Sequence, residues 1–179
     1  MMDEFEEAKI IGRVQAGRTD EFARLVQRYE SGMFRMVGNL VERAQVEDIV
    51  QDAFVAAFTN ICRFDPNRGS FCAWLYRIAR NLALNARKKK RDQPLPEGMV
   101  IVDERTPADD VQKDEIFRLL DRALEELPFQ DRVIFVLAEI EGLPYAEIAR
   151  IEGLRLGTVK SRLARTRARL RNLLEMHVS

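Results

Sequence analysis

Pro144 to Arg171 reads PYAEIARIEGLRLGTVKSRLARTRARLR, and its spacing predicts two helices joined by a tight turn, the second long and strongly basic. Ala149 and Gly153 stand four residues apart. A small side chain lets two helices cross closely, and a glycine admits the positive φ of a sharp turn. Val159 falls where the second helix plugs back onto the first, which completes a helix-turn-helix pattern. At about 100° per residue, Leu156, Val159, Leu163, Leu170 and Leu173 share one stripe, the side expected to be buried. Gly157, Ser161, Ala164 and Ala168 form the opposite face, edged by Lys160 and Arg165, with Thr158 near the helix start. From Gly153 to Arg171 there are seven basic residues and no acidic one. A basic run alone reads as a solvated helix. A small-residue strip between cations, behind such a turn, suits a helix lying in the major groove with its flanks on phosphates. Glu152, just before the turn glycine, takes a place usually given to an apolar residue, which predicts a more exposed end to the first helix.

Two amphipathic segments precede this motif and supply it with a core. Val111 to Leu127 carries Ile116, Leu119, Leu120, Ala123, Leu124 and Leu127, with Thr106-Pro107 ahead of it as an N-cap and first-turn proline. Gln130 to Glu141 carries Val133, Ile134, Val136, Leu137 and Ile140, and Gly142 ends it. Before them, residues 92–110 read as a linker broken by Pro94, Pro96, Gly98 and Pro107. Fully extended, such a length reaches roughly 60 Å, under two turns of duplex DNA at about 35 Å each.

The N-terminal half repeats the helical period. Met1 to Glu7 is acidic and expected to fray. Thr19 is a candidate N-cap, with Asp20 and Glu21 in the first turn. Phe22 to Val41 then follows a helical apolar pattern, with a kink expected near Ser31-Gly32. Val46 to Ile61 is the next helix: Ile49, Val50, Ala53, Phe54, Ala57, Phe58 and Ile61 make its apolar face, and Glu47, Asp48, Gln51 and Asp52 a polar edge that by composition alone reads as solvated. Phe64 to Ser70, FDPNRGS, is a turn-rich break. In the helix Phe71 to Lys90, Phe71, Trp74, Leu75, Ile78 and Leu82 face inward. Arg77, Asn81 and Lys88 share a flank, and Tyr76, Arg80 and Arg87 point more directly outward. Cations and amides along a helix edge, beside a loop with an aromatic, fit a single-strand track; a solvated basic helix fits as well.

Nothing in the sequence alternates like a strand. The expected fold is all-α: two small helical domains, 1–91 and 111–179, joined by a flexible linker at 92–110, the second domain containing the helix-turn-helix. Formal net charge is zero over 179 residues, yet it is unevenly spread: Arg63 to Arg91 holds nine basic residues and one acid, and Glu97 to Glu126 ten acids and four bases. Two basic stretches separated by an acidic one suit a two-point nucleic-acid binder. The acidic N-terminus and the lack of a long apolar run predict a cytoplasmic protein without membrane insertion. Cys62, Cys72 and the lone His177 fit no zinc spacing, so two reduced thiols are expected and no metal or other cofactor. With one histidine, no metal-ligand cluster and no glycine-rich phosphate loop, enzyme chemistry is not expected.

The chain resembles the bacterial RNA polymerase sigma factors of the extracytoplasmic-function (ECF) subfamily. VEDIVQDAF at Val46 to Phe54 and FCAWLYRIARNLALNARKKKR at Phe71 to Arg91 resemble the family's region-two domain. LEELPFQDRVIFVLAEIEGLPYAEIARIEGLRLGTVKSRLARTRARL resembles its region-four domain. The resemblance implies a protein that binds core RNA polymerase and directs it to promoter DNA, leaving the chemistry to the polymerase. Asp48, Gln51 and Asp52 match positions that face the clamp helices of the largest subunit, which gives the acidic edge a task. Phe64, Asn67 and Arg68 fall in the loop matching a pocket for a flipped-out minus-10 base. Arg77, Arg80, Asn81 and Lys88 match the helix along the unwound strand. Thr158, Lys160, Ser161, Arg162, Ala164 and Arg165 match the helix that reads the minus-35 duplex, while that domain docks on the polymerase flap. Arg162, near the buried edge, suits a phosphate more than a base. An anti-sigma factor is expected as a further partner. The competing reading is a stand-alone helix-turn-helix regulator of duplex DNA, which would leave Phe71 to Arg91 without a task.

Overall fold

The computed structural model describes residues 4–92, 119–120 and 122–178, and among these there is no strand. The N-terminal half is built from α1 (Glu4–Gln15), α2 (Phe22–Gly38), α3 (Arg43–Thr59) and α4 (Phe71–Asp92). The C-terminal half has helical residues at 119–120 and 122–125 (α5), α6 (Phe129–Phe135), α7 (Tyr145–Glu152) and α8 (Leu156–Val178). Asp92, read as the first linker residue, ends α4; the rest of the linker and the Thr106-Pro107 cap lie outside the described residues, as does most of the first half of the Val111–Leu127 segment.

The acidic N-terminus does not fray from Glu4 onward. It forms α1, and Ile10, Ile11 and Val14 enter the core. Glu7 is buried with them, its carboxylate accepting from the Tyr29 hydroxyl at 2.5 Å and pairing with Arg28 at 3.0 Å. A buried carboxylate is tolerated when it is paired in this way. Thr19 opens a short 3₁₀ turn, Thr19–Glu21, rather than capping α2, and the helix starts at Phe22 without a side-chain cap. The helix α2 runs through Ser31-Gly32 without a break. Gly32 is buried there, and a Cβ on it would collide with the Tyr76 hydroxyl and lie 2.8 Å from a Glu141 carboxylate oxygen. The glycine serves close packing, not a bend.

α2, α3 and α4 pack on one another around Leu25, Met33, Met36, Val37, Ala53, Ala57, Phe71 and Leu75, all almost fully buried. Phe58, expected in this core, is instead 39 % exposed, beside Val55 at 57 %. In the second half α6 packs on α8, and α7 on α8. α6 ends in a wide π-helical turn, Val136–Ile140, closed by the Glu141 amide donating to the Val136 carbonyl at 3.0 Å. Gly142 then reverses the chain with φ of 63°.

The two halves share one apolar core. Val133, Ile134, Val136, Leu137, Ile148, Ile151, Val159 and Leu163 are continuous with the residues of the first half, and α4 packs directly on α7. The outward face predicted for α4 is therefore covered: Tyr76 is 4 % exposed, and Arg80 and Arg87 are half-buried, both guanidinium groups lying over the Phe129 ring at 5.8 and 5.4 Å.

Candidate nucleic-acid interface

The helix-turn-helix forms as its spacing dictates. Gly153 adopts the left-handed conformation, φ 65° and ψ 33°, and its amide donates to the Ala149 carbonyl. The Leu154 amide donates to the same oxygen at 2.9 Å. This satisfies a carbonyl group that the end of α7 leaves without a regular helical partner. At the other end Pro144 sets its φ at −56° and accepts from the Glu147 and Ile148 amides, so no hydroxyl cap is needed.

On α8 the buried stripe is Val159, Leu163, Thr166 and Leu170, with Leu173 half-buried. Leu156, placed on that stripe by angle, is 44 % exposed, because it begins the helix and lies beyond the reach of the core. Thr166 was not legible as a core residue, since its hydroxyl reads as polar. Gly157, Ser161, Ala164 and Ala168 are exposed together, flanked by exposed Lys160 and Arg165, and Thr158 is half-buried. The strip is thus open to a groove. Arg162 is already held: its guanidinium donates to Gln130 at 2.6 Å and to Asp131 at 3.3 Å. Arg167 is likewise tied to Glu139, which raises its pKa, and donates to the Tyr145 hydroxyl at 3.2 Å.

The 64–70 loop makes a pocket. Asp65 accepts from the Asn67 amide at 2.9 Å, a short turn follows at Pro66–Arg68, and Gly69 has φ of 152°. A cavity of about 260 Å³ opens beside it, lined among others by Asp65, Arg68, Ser70, Trp74, Arg77 and, from the C-terminal half, Arg150. Phe64 is not a free platform. It is 8 % exposed and packs on Phe71 and Trp74 with ring centroids 5.5 and 5.4 Å away, forming a wall of the pocket. Such a volume has the scale of a small-molecule or single-base site. Arg68, Arg77, Asn81 and Lys88 are exposed.

Arg80 stands apart from these. Its Nε and Nη2 donate to the two carboxylate oxygens of Glu152 at 2.9 and 3.1 Å, and the Glu152 side chain is 0 % exposed. The end of α7 is thus more buried than the sequence predicts, because an acid in place of an apolar residue meets a cation on α4. Sequence reasoning also missed Glu141 and Glu147, which look like ordinary surface acids. Glu141 receives both Arg35 bonds at 2.9 Å and the Tyr76 hydroxyl at 3.3 Å, which raises the Arg35 pKa; Glu147 accepts from Ser70.

Asp48, Gln51 and Asp52 are exposed on α3, in sequence with exposed Val55 and Phe58. An acidic edge beside uncovered apolar side chains is the composition of a docking surface.

Cys62 is exposed and Cys72 half-buried, both free. Burial pushes the Cys72 thiol up to about 12. The thiolate is the reactive form, so little of Cys72 reacts at neutral pH. Brief iodoacetamide treatment of the folded chain near pH 8 should alkylate Cys62 alone, read by peptide mass spectrometry; equal labelling of both would contradict the burial of Cys72.

Comparison with known proteins agrees with this arrangement. Residues 23–93 match the Sigma-70 region 2 family model, and residues 117–170 the Sigma-70, region 4 model. The chain is 38 % identical to the ECF RNA polymerase sigma factor SigW of Bacillus subtilis over 93 % of its own length and 95 % of that protein. Among solved structures it is similar to CnrH in complex with the cytosolic domain of CnrY (TM-score 0.73, 28 % identity, 93 % of this chain and 96 % of that one). It is also similar to the sigma factor RpoE in complex with the anti-sigma factor NepR from Bartonella quintana (TM-score 0.67, 26 % identity, 87 % and 97 %). The chain belongs to the ECF RNA polymerase sigma factors. No helix among the described residues is long and apolar enough to cross a membrane.

Proposed function

We propose that this chain binds core RNA polymerase, recognises the minus-35 and minus-10 elements of a promoter, and promotes melting and initiation without chemistry of its own. It acts in the cytoplasm, with a region-two domain at 1–91, a linker at 92–110 and a region-four domain at 111–179. Asp48, Gln51 and Asp52 meet the polymerase clamp. Arg68 lines the pocket that takes a flipped base, and Asn67 holds the loop through Asp65; flipping costs about a few kcal/mol of stacking that the pocket walls, Phe64 and Trp74, return. Arg77, Asn81, Lys88 and, once freed, Arg80 follow the strand. The strip Thr158, Ser161 and Ala164 faces the minus-35 groove between Lys160 and Arg165, while Arg162 positions α8 against α6. An anti-sigma factor is a natural further partner, since the similar sigma factor RpoE is held in complex with the anti-sigma factor NepR.

The observation that carries the reading is the open small-residue strip of α8, bordered by cations, on the same chain as an aromatic-walled pocket that opens beside a helix bearing exposed Arg77, Asn81 and Lys88. A stand-alone duplex regulator has no use for the second site. Run-off transcription with purified core polymerase on a pooled library of upstream fragments tests it. Discrete transcripts that require the chain are expected. Retention of duplex by the chain alone, with no transcript, would replace this reading with the stand-alone regulator.

A further inference from the structure

Three glutamates of the C-terminal half reach across to the first. Glu141 meets Arg35 and Tyr76, Glu147 meets Ser70, and Glu152 meets Arg80. The Glu141 and Glu152 side chains are 4 % and 0 % exposed. A carboxylate so far from water is costly unless a cation closes on it, and each here receives a two-pronged guanidinium. Gly32 lets this happen, since any side chain there would strike Tyr76 and Glu141. Meanwhile Arg80 is spent on Glu152, and Arg150 stands at the wall of the 64–70 pocket. Arg167 and Glu139, by contrast, pair within the C-terminal half. The acids that cross are the ones that cover α4.

We propose that Glu141, Glu147 and Glu152 form an intramolecular latch that holds the helix-turn-helix half over α4 in the free chain. The closed chain keeps Arg80 from DNA, and core polymerase parts the two halves before α4 takes a strand. A buried ion pair is close to balance against the hydration of its separated partners, so the latch yields to a partner that offers new surface to both halves. The consequence for polymerase rests on the sigma-factor reading; the closure itself does not.

The test compares the full-length wild type with Glu141→Gln/Glu152→Gln, which keeps side-chain shape and removes two charges, and with the exchanged pair Arg80→Glu/Glu152→Arg. Radius of gyration is measured by small-angle X-ray scattering, and affinity for core polymerase by anisotropy of a labelled chain. The glutamine variant should show a larger radius and bind core at least about fivefold tighter, the lower end of an ordinary coupling between sites. The exchanged pair should keep the wild-type radius, which also guards against a variant that merely misfolds. An unchanged radius, or a larger radius with unchanged core affinity, overturns the latch. A wild type that does not bind core at all removes the sigma-factor reading instead, and the radius then decides closure by itself.

Discussion

Leu163→Ala should cost about 3 kcal/mol or more of stability, whereas Leu156→Ala should cost less than about 1 kcal/mol. The two leucines stand on the same helical stripe by sequence, seven residues apart. Leu163 is 1 % exposed among Val159, Ile148 and Leu137 in the shared core, and Leu156 is 44 % exposed. Truncating the first removes transfer energy and leaves a cavity that a packed interior only partly closes. Truncating the second removes surface that water already reaches. Such domains are stable by only about 5–15 kcal/mol, so the first change consumes a large share of what holds the DNA-reading helix in place. Urea unfolding followed by far-UV circular dichroism measures both. Equal midpoints for the two variants would show that the stripe is buried evenly, contrary to the packing described.

The second large effect is on DNA. Lys160→Ala/Arg165→Ala, in holoenzyme, should weaken binding to a promoter duplex by roughly tenfold for each cation, since a charge-assisted hydrogen bond contributes about 1.5 kcal/mol or more. Each lost phosphate contact should also flatten the plot of log affinity against log salt by about 0.9. Both side chains are exposed at the edges of the small-residue strip, and Arg165 makes a long contact, 3.4 Å, to the Ser161 carbonyl. Arg162→Ala should behave differently. Its guanidinium is engaged by Gln130 and Asp131, so its loss should lower the unfolding midpoint and leave the salt slope nearly unchanged. A fall in slope for Arg162→Ala equal to that for Lys160→Ala would return Arg162 to the phosphates.

Much of this molecule was legible because local physics decided it. The apolar period over Ile49–Ala57 and over Val159–Leu170 is imposed by the 3.6-residue turn, whatever packs against it. The glycine at 153 is required by a left-handed turn, and the turn is there. The exposed strip from Gly157 to Ala168 follows from the same angle. Local reasoning failed where a residue's partner is distant in sequence. It gave Tyr76, Arg80 and Arg87 to solvent, because nothing within α4 reveals that α7 and Phe129 lie over them. It left Gly32 as a kink, because the close approach of Tyr76 and Glu141 involves chain 44 and 109 residues away. It read the N-terminal acids as loose, because Glu7 finds Tyr29 only after α1 docks.

The sequence by itself determined that the chain is helical, that the second helix of its helix-turn-helix carries a cationic edge fit for a groove, and that it resembles ECF sigma factors. The first two depend on periodicity, turn chemistry and charge within short windows; the resemblance rests on region-two and region-four motifs matched in order along nearly the whole chain. Only the tertiary structure decided that both halves share one core, that Phe64 is a pocket wall, and that Glu152 is buried against Arg80. The first two rest on how apolar side chains from separate elements pack together; the last rests on a charge pair 72 residues apart, where desolvation and Coulomb attraction nearly cancel and geometry settles which of them wins.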